Sequence, residues 1–369
     1  MRIVTVIGAR PQFVKAAVVS RAIAMHNLEC KQNGKELLEE IIVHTGQHYD
    51  ENMSSIFFTE MDIPKPAYNL GVNSLSHGAM TGQILEKTER VLIDEKPDLL
   101  LVYGDTDSTL AGALAAVKLN IPIAHVEAGL RSYNMLMPEE INRILTDRMA
   151  TLLFCPTEQA LTSLINEDLT RLALNCGDVM QDAAIYYADK AIPPQGCNDI
   201  GAFTLCTIHR AENTDNPVKL SSIFQAIEKI ASQETVVLPL HPRTLSRLVN
   251  IDYDLANSRI RFIKPVGYFE MQWLLLNCNL VMTDSGGVQK EAYFCKKPCL
   301  TLRDETEWTE LVEHGYNKLV GFDTNNILKA YSQINPDDLK FNKELFGGGH
   351  AGHIIVRTII QFLENENKF

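Results

Sequence analysis

Short runs of consecutive apolar residues recur along the first half of the chain, and stretches with helical periodicity separate them. Leu99–Val102 is the clearest run. A strand that is buried on both faces of a parallel sheet has this pattern. Similar runs lie at residues 2–7, 41–46, 121–126 and around 154. The alternation therefore predicts a doubly wound α/β domain with six or seven strands.

The second half repeats the alternation after an interruption at Pro193-Pro194-Gln195-Gly196, which is typical of a linker or an opening loop. Its predicted strands are residues 203–208, 235–240, 260–263, 280–283, 298–302 and 318–320. Residues 354–364 form an amphipathic pattern that predicts a C-terminal helix. We expect two Rossmann-like α/β domains, residues 1–180 and 181–353, and a terminal helix over residues 354–369.

Composition narrows the class of protein. A length of 369 residues favours about two domains. The formal charge of −12 argues against sequence-independent binding of nucleic acid, which needs a basic face. No apolar run approaches the about 18 residues of a membrane span, and Met1–Ile7 runs directly into a predicted turn. We expect a cytoplasmic protein without nucleic-acid or membrane partners.

Eight cysteines occur without a Cys-x-x-Cys pair. Paired spacing is the usual signal of a zinc site or a redox pair, so neither is indicated. We expect reduced thiols and no metal site.

Acidic residues follow two successive predicted strands. Asp105 ends the strand at Leu99–Val102, Glu127 ends the next, and Glu139 opens a helix with Arg143 one turn later. Because the carboxyl ends of parallel strands form the ligand crevice, we expect these side chains to converge there. Taken singly, each acid is equally compatible with an ordinary helix cap or with compensation of a helix dipole.

Basic residues lie at two further strand ends. Arg10 and Lys15 stand at the start of the first helix, where backbone amides favour an anion, although neither a Walker loop nor Gly-x-Gly-x-x-Gly is present. His209 and Arg210 directly follow the first strand of the second domain. The alternatives are a solvated helix face for Arg10 and Lys15, and a backbone cap for His209.

Asp284-Ser285-Gly286-Gly287 follows another predicted strand and opens a helix. Ser285 can cap the helix, and the two glycines allow a ligand to approach the backbone amides. Glu291, about two turns later, can reach diol hydroxyls. Two such domains facing each other across a cleft would hold a nucleotide diphosphate-sugar, with its nucleotide on the second domain and its sugar beside the acids of the first.

Seven motifs, in order and over nearly the whole chain, make the sequence similar to the non-hydrolysing UDP-N-acetylglucosamine 2-epimerases. They are Gly8-Ala9-Arg10-Pro11 with Lys15, Thr45-Gly46-Gln47-His48, Gly104-Asp105-Thr106, His125-Val126-Glu127-Ala128-Gly129-Leu130-Arg131, Pro138-Glu139-Glu140-Ile141-Asn142-Arg143, His209-Arg210-Ala211-Glu212-Asn213 and Asp284-Ser285-Gly286-Gly287-Val288-Gln289-Lys290-Glu291. The resemblance implies the glycosyltransferase-B-like two-domain fold, a C-terminal helix that crosses back to the first domain, and a homodimer.

The resemblance also implies a reaction. The family eliminates UDP from C1 to give 2-acetamidoglucal and then re-adds it with C2 inverted, interconverting UDP-GlcNAc-type and UDP-ManNAc-type sugars for bacterial surface polysaccharides, without a cofactor. The implied catalytic residues are Asp105, Glu127, Glu139, Arg143 and His209. The implied binding residues are Arg10, Lys15, His209 and Arg210 for the diphosphate, the amides of Ser285, Gly286 and Gly287 beside them, and Glu291 for the ribose.

Three stretches, residues 177–182, 238–243 and 346–349, resemble most the branch that acts on UDP-2,3-diacetamido-2,3-dideoxy-glucuronate, so this substrate is an alternative. Trp308 stands where familiar members have arginine, and the loop at residues 265–271 also differs, as does that at Gln47 and His48. A hydrolysing epimerase, a retaining glycosyltransferase on the same fold and a non-catalytic nucleotide-sugar sensor are the rival functions.

Overall fold

The computed structural model describes residues 1–47, 61, 63–170, 172–335, 339–341 and 343–366, with the side chains of Arg10 and Glu366 left out. The apolar run Ile56-Phe57-Phe58, which predicts part of a helix, and the motif residue His48 lie outside the described residues. The chain divides into two compact units. Unit 1 comprises Met1–Ala183 and Glu344–Phe369, and unit 2 comprises Ala184–Lys343.

Unit 1 contains a parallel sheet of seven strands in the order β3-β2-β1-β4-β5-β6-β7. The strands are β1 (Arg2–Ile7), β2 (Glu39–His44), β3 (Tyr68–Asn69), β4 (Leu99–Tyr103), β5 (Ile123–Val126), β6 (Leu152–Cys155) and β7 (Ala173–Asn175). The helices are α1 (Arg10–Asn33), α2 (His77–Glu95), α3 (Asp107–Lys118), α4 (Pro138–Met149), α5 (Glu158–Asn166) and α6 (Val179–Tyr187), which runs into unit 2.

Unit 2 contains a parallel sheet of six strands in the order β10-β9-β8-β11-β12-β13. The strands are β8 (Phe203–Thr207), β9 (Thr235–Pro239), β10 (Arg261–Ile263), β11 (Leu280–Thr283), β12 (Cys299–Thr301) and β13 (Asn317–Leu319). The helices are α7 (Ala211–Thr214), α8 (Pro217–Ala231), α9 (Pro242–Asn250), α10 (Tyr268–Asn277), α11 (Gly286–Phe294), α12 (Thr309–Glu313) and α13 (Thr324–Gln333), and the last helix of the chain, α14 (Ala351–Glu366), belongs to unit 1.

The predicted α/β class with two doubly wound sheets is confirmed. Each sheet reverses its order beside its first strand, so β4 lies next to β1 and β11 lies next to β8. Ligands of open α/β sheets bind beyond the carboxyl ends of strands at such a reversal. The predicted acids follow β4 and β5 in unit 1, and the predicted His209 and Ser285 follow β8 and β11 in unit 2.

The core of unit 1 brings helix α3 close to the sheet. Val6 and Val102 of the sheet pack against the fully buried Ala113 and Ala116 of α3. Small side chains allow the helix to approach the strands closely, and the loop between β4 and α3, which carries Asp105, is only residues 104–106.

The last helix, α14, packs on α1. A Cβ atom added to Gly352 would lie 2.7 Å from Cγ1 of Val18, so glycine is needed for this close approach. The carboxylate of Asp182 accepts hydrogen bonds from the amides of Ala351 and Gly352 at 3.1 and 2.9 Å, which caps the helix. Both ends of the chain therefore contribute to the same unit. Of the helices in the described residues, none has the length and apolar content that a membrane span requires.

Candidate active site

The turn after β4 presents Asp105. Gly104 adopts a left-handed backbone with φ of +66°, which allows the chain to turn sharply, and Thr106 caps α3 by accepting a hydrogen bond from the amide of Thr109 at 3.3 Å. The side-chain amide of Asn142 on α4 fixes the turn further by donating a hydrogen bond to the backbone carbonyl of Asp105 at 2.9 Å. The turn is thus held from both sides.

Arg143 joins Asp105 to a second acid. One guanidinium nitrogen lies 2.7 Å from Asp105 Oδ2, and two others donate to Glu140 Oε2 at 3.1 and 2.8 Å. Burial among protein atoms raises the pKa of Asp105, the carboxylates of Glu127 and Glu139 add to this rise, and Arg143 opposes it. A third of the Asp105 side chain is exposed, so a substrate can still reach a carboxyl group that takes up a proton more readily than usual.

Glu127 occupies the turn after β5 in a left-handed backbone with φ of +72°, which is uncommon for a residue with a side chain. The amides of Glu127 and Ala128 both donate to the carbonyl of Phe154 at 3.0 Å, which holds this conformation. Lys15 Nζ contacts Glu127 Oε2, and the two side chains are each 10% exposed. The structure therefore places Lys15 beside an acid, and its predicted contact with a diphosphate stays a prediction.

The two neighbouring glutamates at the start of α4 have different surroundings. Glu139 is exposed, whereas Glu140 is completely buried. Burial alone would raise the pKa of Glu140, but hydrogen bonds from the amides of Ser132 and Tyr133 and from Arg143 lower it. Glu140 thus holds Arg143 in place, a role that the sequence did not indicate because nothing in a Pro-Glu-Glu pattern tells which glutamate points inward.

Gln12 changes the expectation for the start of α1. Its side-chain oxygen accepts hydrogen bonds from the amides of Gly8 and Ala9 at 2.8 and 2.9 Å, so these amides are not available to an anion. Its nitrogen donates to the carbonyl of Tyr103 at 2.8 Å, which ties this loop to the end of β4. Arg10 begins the helix, but its side chain lies outside the described residues.

In unit 2, the buried Asp284 organises the end of β8. Its carboxylate accepts hydrogen bonds from the amides of His209 and Arg210 and from the side chain of Asn213 at 3.1 to 3.2 Å. The ring of His209 is about half exposed, and its Nδ1 lies 3.7 Å from Asp284 Oδ1.

The N-terminus of α11 lies at the neighbouring strand end. Ser285 caps the helix by accepting from the amide of Val288 at 3.5 Å. The amides of Gly286 and Gly287 make no hydrogen bond with any other described residue. Two such amides at the positive end of a helix suit a phosphate oxygen. Glu291 lies in the second turn of the same helix and is largely buried.

Glu307 is an acid that sequence reasoning missed. Its carboxylate lies against Gly286, so a Cβ atom there would clash with it. Arg303 donates to it at 2.9 Å and Arg210 lies 3.6 Å away, and these cations lower the pKa of Glu307 although burial opposes them. The carboxylate of Glu307 therefore lies at the N-terminus of α11, where the sequence predicts that a phosphate binds.

Trp308 marks the departure from the family pattern. The indole is buried, and Lys290 Nζ lies 4.2 Å from the centre of its ring, a cation–π contact. Within the described ranges, no group of three or more histidine, cysteine or acidic side chains is arranged to hold a metal ion.

The structure thus brings the predicted site residues together in two sets. Unit 1 gathers those that surround Gly104, and unit 2 gathers those at the ends of β8 and β11. The first set is Lys15, Asp105, Glu127 and Arg143, with Glu139 nearby on α4. The second set is His209, Arg210, Ser285, Gly286 and Gly287, with Glu291 on α11.

Several known proteins are similar to this chain over nearly its whole length. The UDP-2,3-diacetamido-2,3-dideoxy-D-glucuronate 2-epimerase of Pseudomonas aeruginosa is 53% identical over 363 residues, covering 97% of this chain and 99% of that protein. The crystal structure of Methanocaldococcus jannaschii UDP-GlcNAc 2-epimerase in complex with UDP-GlcNAc and UDP superposes with a TM-score of 0.86 at 40% identity, covering 98% of this chain and 100% of that one. The Neisseria meningitidis enzyme bound to UDP-GlcNAc gives 0.84 at 31% identity, covering 98% and 100%.

Residues 30–360 match the family model described as UDP-N-acetylglucosamine 2-epimerase. With two parallel sheets, acids after β4 and β5, and helix amides after β11 that no described residue occupies, the chain belongs to the UDP-N-acetylglucosamine 2-epimerase family.

Proposed function

We propose that this protein inverts C2 of a UDP-activated 2-acetamido sugar without net hydrolysis. The observation that carries the proposal is the convergence of Asp105 and Glu127 beside Lys15 and Arg143 at the ends of two adjacent strands. Two carboxyl groups that differ in their cationic partners provide proton transfer in both directions, and the cations stabilise the charge that forms when UDP departs.

The chemistry requires two bonds to break. The C2 hydrogen of the sugar is not acidic, but loss of UDP from C1 builds positive charge on the ring and makes this hydrogen acidic. A carboxylate takes the C2 proton, the C1–O bond electrons leave with UDP, and a neutral glycal remains. Re-addition of UDP to C1, with the proton delivered to the opposite face of C2, gives the epimer, so atoms and charges balance over the cycle.

Asp105 takes up a proton more readily than an ordinary aspartate because burial raises its pKa, which suits a group that accepts and returns the C2 proton. Glu127, held by Lys15, is the second acid, and Glu139 is the third that the resemblance supplies. Closely spaced carboxyl groups titrate together, so the proposal assigns the proton transfers to the group of acids. Arg143 orients Asp105.

The groups of unit 2 hold the leaving UDP in this proposal. The diphosphate is bound by the amides of Gly286 and Gly287, the imidazole ring of His209 and the guanidinium group of Arg210. Glu291 binds the ribose hydroxyls. Arg10 and Lys15 remain the proposed diphosphate contacts from unit 1. In this proposal, the ion pair between Glu307 and Arg210 breaks when a phosphate binds at the N-terminus of α11.

For the sugar, the proposal favours UDP-2,3-diacetamido-2,3-dideoxy-glucuronate. The support is the 53% identity to the Pseudomonas aeruginosa 2-epimerase of that name over nearly the whole of both chains. UDP-N-acetylglucosamine is the second candidate because the Methanocaldococcus jannaschii enzyme, with 40% identity, was crystallised with it.

We also propose a cytoplasmic homodimer that contributes to bacterial surface polysaccharide synthesis. The eight cysteines are all unpaired, as in a reducing compartment. The dimer rests on the family resemblance alone. Light scattering coupled to size-exclusion chromatography measures it, and a monomer mass of 41.3 kDa would contradict it.

Proton NMR in deuterium oxide tests the reaction. Each UDP-sugar is incubated with the protein, and we expect the C2 proton signal of the preferred sugar to disappear as deuterium enters from solvent. Phosphorus NMR of the same sample measures free UDP, which stays low in a non-hydrolysing enzyme and accumulates in a hydrolysing one. Retention of the C2 proton in both sugars would contradict the proposal and favour a glycosyltransferase.

A further inference from the structure

A buried ionic network lies directly behind the acids of unit 1. Asp147, in the last turn of α4, accepts three hydrogen bonds at Oδ1 and Oδ2: from His125 Nδ1 at 2.7 Å, from Arg131 at 2.7 Å and from the amide of Gly129 at 3.1 Å. The side chains of His125 and Asp147 are fully buried, and that of Arg131 is 1% exposed. None of these roles was apparent in the sequence, where His125 is one apolar-flanked histidine in a strand.

The two ring nitrogens of His125 both face acceptors. Nδ1 lies 2.7 Å from the carboxylate of Asp147, and Nε2 lies 2.7 Å from the carbonyl oxygen of Gly104. A neutral imidazole has one donor and one acceptor, and a carbonyl oxygen cannot donate. With an ionised Asp147, only the doubly protonated ring satisfies both contacts, because a neutral ring would leave one buried acceptor without a donor.

The alternative is a protonated Asp147 that donates to a neutral ring. Burial raises the pKa of Asp147, but His125 and Arg131 lower it below the ordinary value. Arg131 is itself paired with Glu167 at 2.7 Å. His125, Arg131, Asp147 and Glu167 are two cations and two carboxylates whose charges balance, and the exposed Arg148 also lies 3.9 Å from Glu167. Buried charges are tolerated when they are paired in this way.

Other titratable groups around the ring do not change this balance. Burial raises the pKa of Cys155 on β6, so its thiol carries no charge. On the strands that flank β5, Val102 and Leu153 pair with His125, and these are apolar. Asp147 is thus the acid that faces the ring from α4.

The network holds the backbone on both sides of the acids. His125 Nε2 holds the carbonyl of Gly104, which directly precedes Asp105. Asp147 holds His125 and the amide of Gly129, which lie on either side of Glu127 and its left-handed backbone. One buried carboxylate therefore fixes the turns that present both acids.

We propose that His125 is a permanently protonated positioning residue, which with Asp147 sets the separation of Asp105 and Glu127 for proton transfer at C2. The ring does not touch the sugar. It acts through the Gly104 carbonyl, and its positive charge sits behind the acid pair. The effect on turnover rests on the proposed function, whereas the protonation state of the ring does not.

Nitrogen-15 NMR of protein labelled at histidine tests the protonation state without substrate. The spectrum of the His125→Gln variant identifies the signals of this ring by their loss. We expect both ring nitrogens of His125 to show the shifts of N–H groups, unchanged between pH 6 and pH 9. A signal typical of an unprotonated ring nitrogen at pH 7.5, or a titration within this range, would overturn the proposal.

Steady-state kinetics tests the positioning role. In His125→Gln we expect kcat to fall about 100-fold, the scale of an approximately 1 Å misplacement of reacting groups, while KM changes less than about threefold. Asn27→Ala is the matched control. It also removes two hydrogen bonds from unit 1, those with the backbone of Leu38 at 2.8 and 2.9 Å, and should leave kcat unchanged.

Asp147→Asn provides a second variant if His125→Gln does not fold. It keeps the shape of the side chain and removes its charge, so His125 should lose its permanent protonation and kcat should fall with KM preserved. Wild-type kcat in a folded variant, or a loss no larger than that of Asn27→Ala, would overturn the proposal. Absence of epimerisation by the wild-type protein would instead reject the proposed function and leave the NMR result to stand by itself.

Discussion

Gly104→Ala is predicted to damage catalysis much more than folding. A Cβ atom at this position would lie 3.2 Å from Glu127 Oε2 and 3.3 Å from Lys15 Nζ, closer than ordinary van der Waals contact. Because both atoms are at the ends of side chains, they can move by a few tenths of an ångström. The substitution therefore displaces the ion pair rather than the backbone, and the proposed acid leaves its position.

Gly34→Ala is the matched control for Gly104→Ala. The two glycines have nearly the same backbone conformation, with φ of +65° at Gly34 and +66° at Gly104, but no atom lies within 4 Å of a Cβ at Gly34. A side chain in this left-handed region costs about 1–2 kcal/mol at either position. Both variants should therefore lose a similar amount of free energy of unfolding, and the difference between them reports the displacement of Glu127 and Lys15.

Two measurements separate these effects. Urea unfolding should give losses of about 1–2 kcal/mol for both variants. Deuterium exchange at C2 should slow at least about tenfold in Gly104→Ala, since small misplacements of catalytic groups have effects of this size or larger, and should be unchanged in Gly34→Ala. Equal exchange rates in the two variants would refute the reasoning that Glu127 and Lys15 must keep this geometry.

Three further predictions follow from the described contacts. Asp105→Asn should abolish C2 exchange while calorimetry still detects UDP binding, and near-wild-type exchange would remove this acid from the mechanism. Gly286→Ala should weaken UDP binding at least about tenfold because the added methyl group meets Glu307 and lies beside the helix amides that would hold the phosphate, and wild-type affinity would contradict this. Because the pKa of Glu140 is lowered in the folded protein, its charge stabilises the fold above the ordinary pKa of about 4.5, and this stabilisation is lost as the pH falls below that value. The difference in free energy of unfolding between wild type and Glu140→Gln should therefore shrink from pH 6 to pH 3. A constant difference would show that the charge of this carboxylate does not contribute.

Much of the fold was predictable because apolar runs report burial on both faces of a parallel strand. Residues 280–283 were predicted as a strand and form β11 with the same bounds. The apolar pattern of the first helix fades near Met25 and predicts an end there, but the helix extends to Asn33. Its last two turns are rich in polar residues and weaken the periodic signal, and Gly34 then ends the helix in a left-handed conformation.

The site was predictable as far as strand ends determine it. Asp105 and Glu127 meet because parallel strands present their carboxyl ends at one edge. The supporting polar contacts were not predictable, since their partners are remote in sequence. Gln12 reaches Tyr103, and Glu307 reaches Gly286, across intervening elements. No local pattern encodes such pairs, so the sequence did not show that Gln12 binds the amides of Gly8 and Ala9, just before α1.

The contribution of both chain ends to unit 1 has a consequence for biosynthesis. All of unit 2 leaves the ribosome before α14 does, so α1 stays uncovered until residues 351–366 have been translated. Val18 then receives Gly352, and Asp182 captures the first turn of the late helix. A nascent chain stalled before residue 351 would carry every strand of both sheets but would lack the helix that packs on α1.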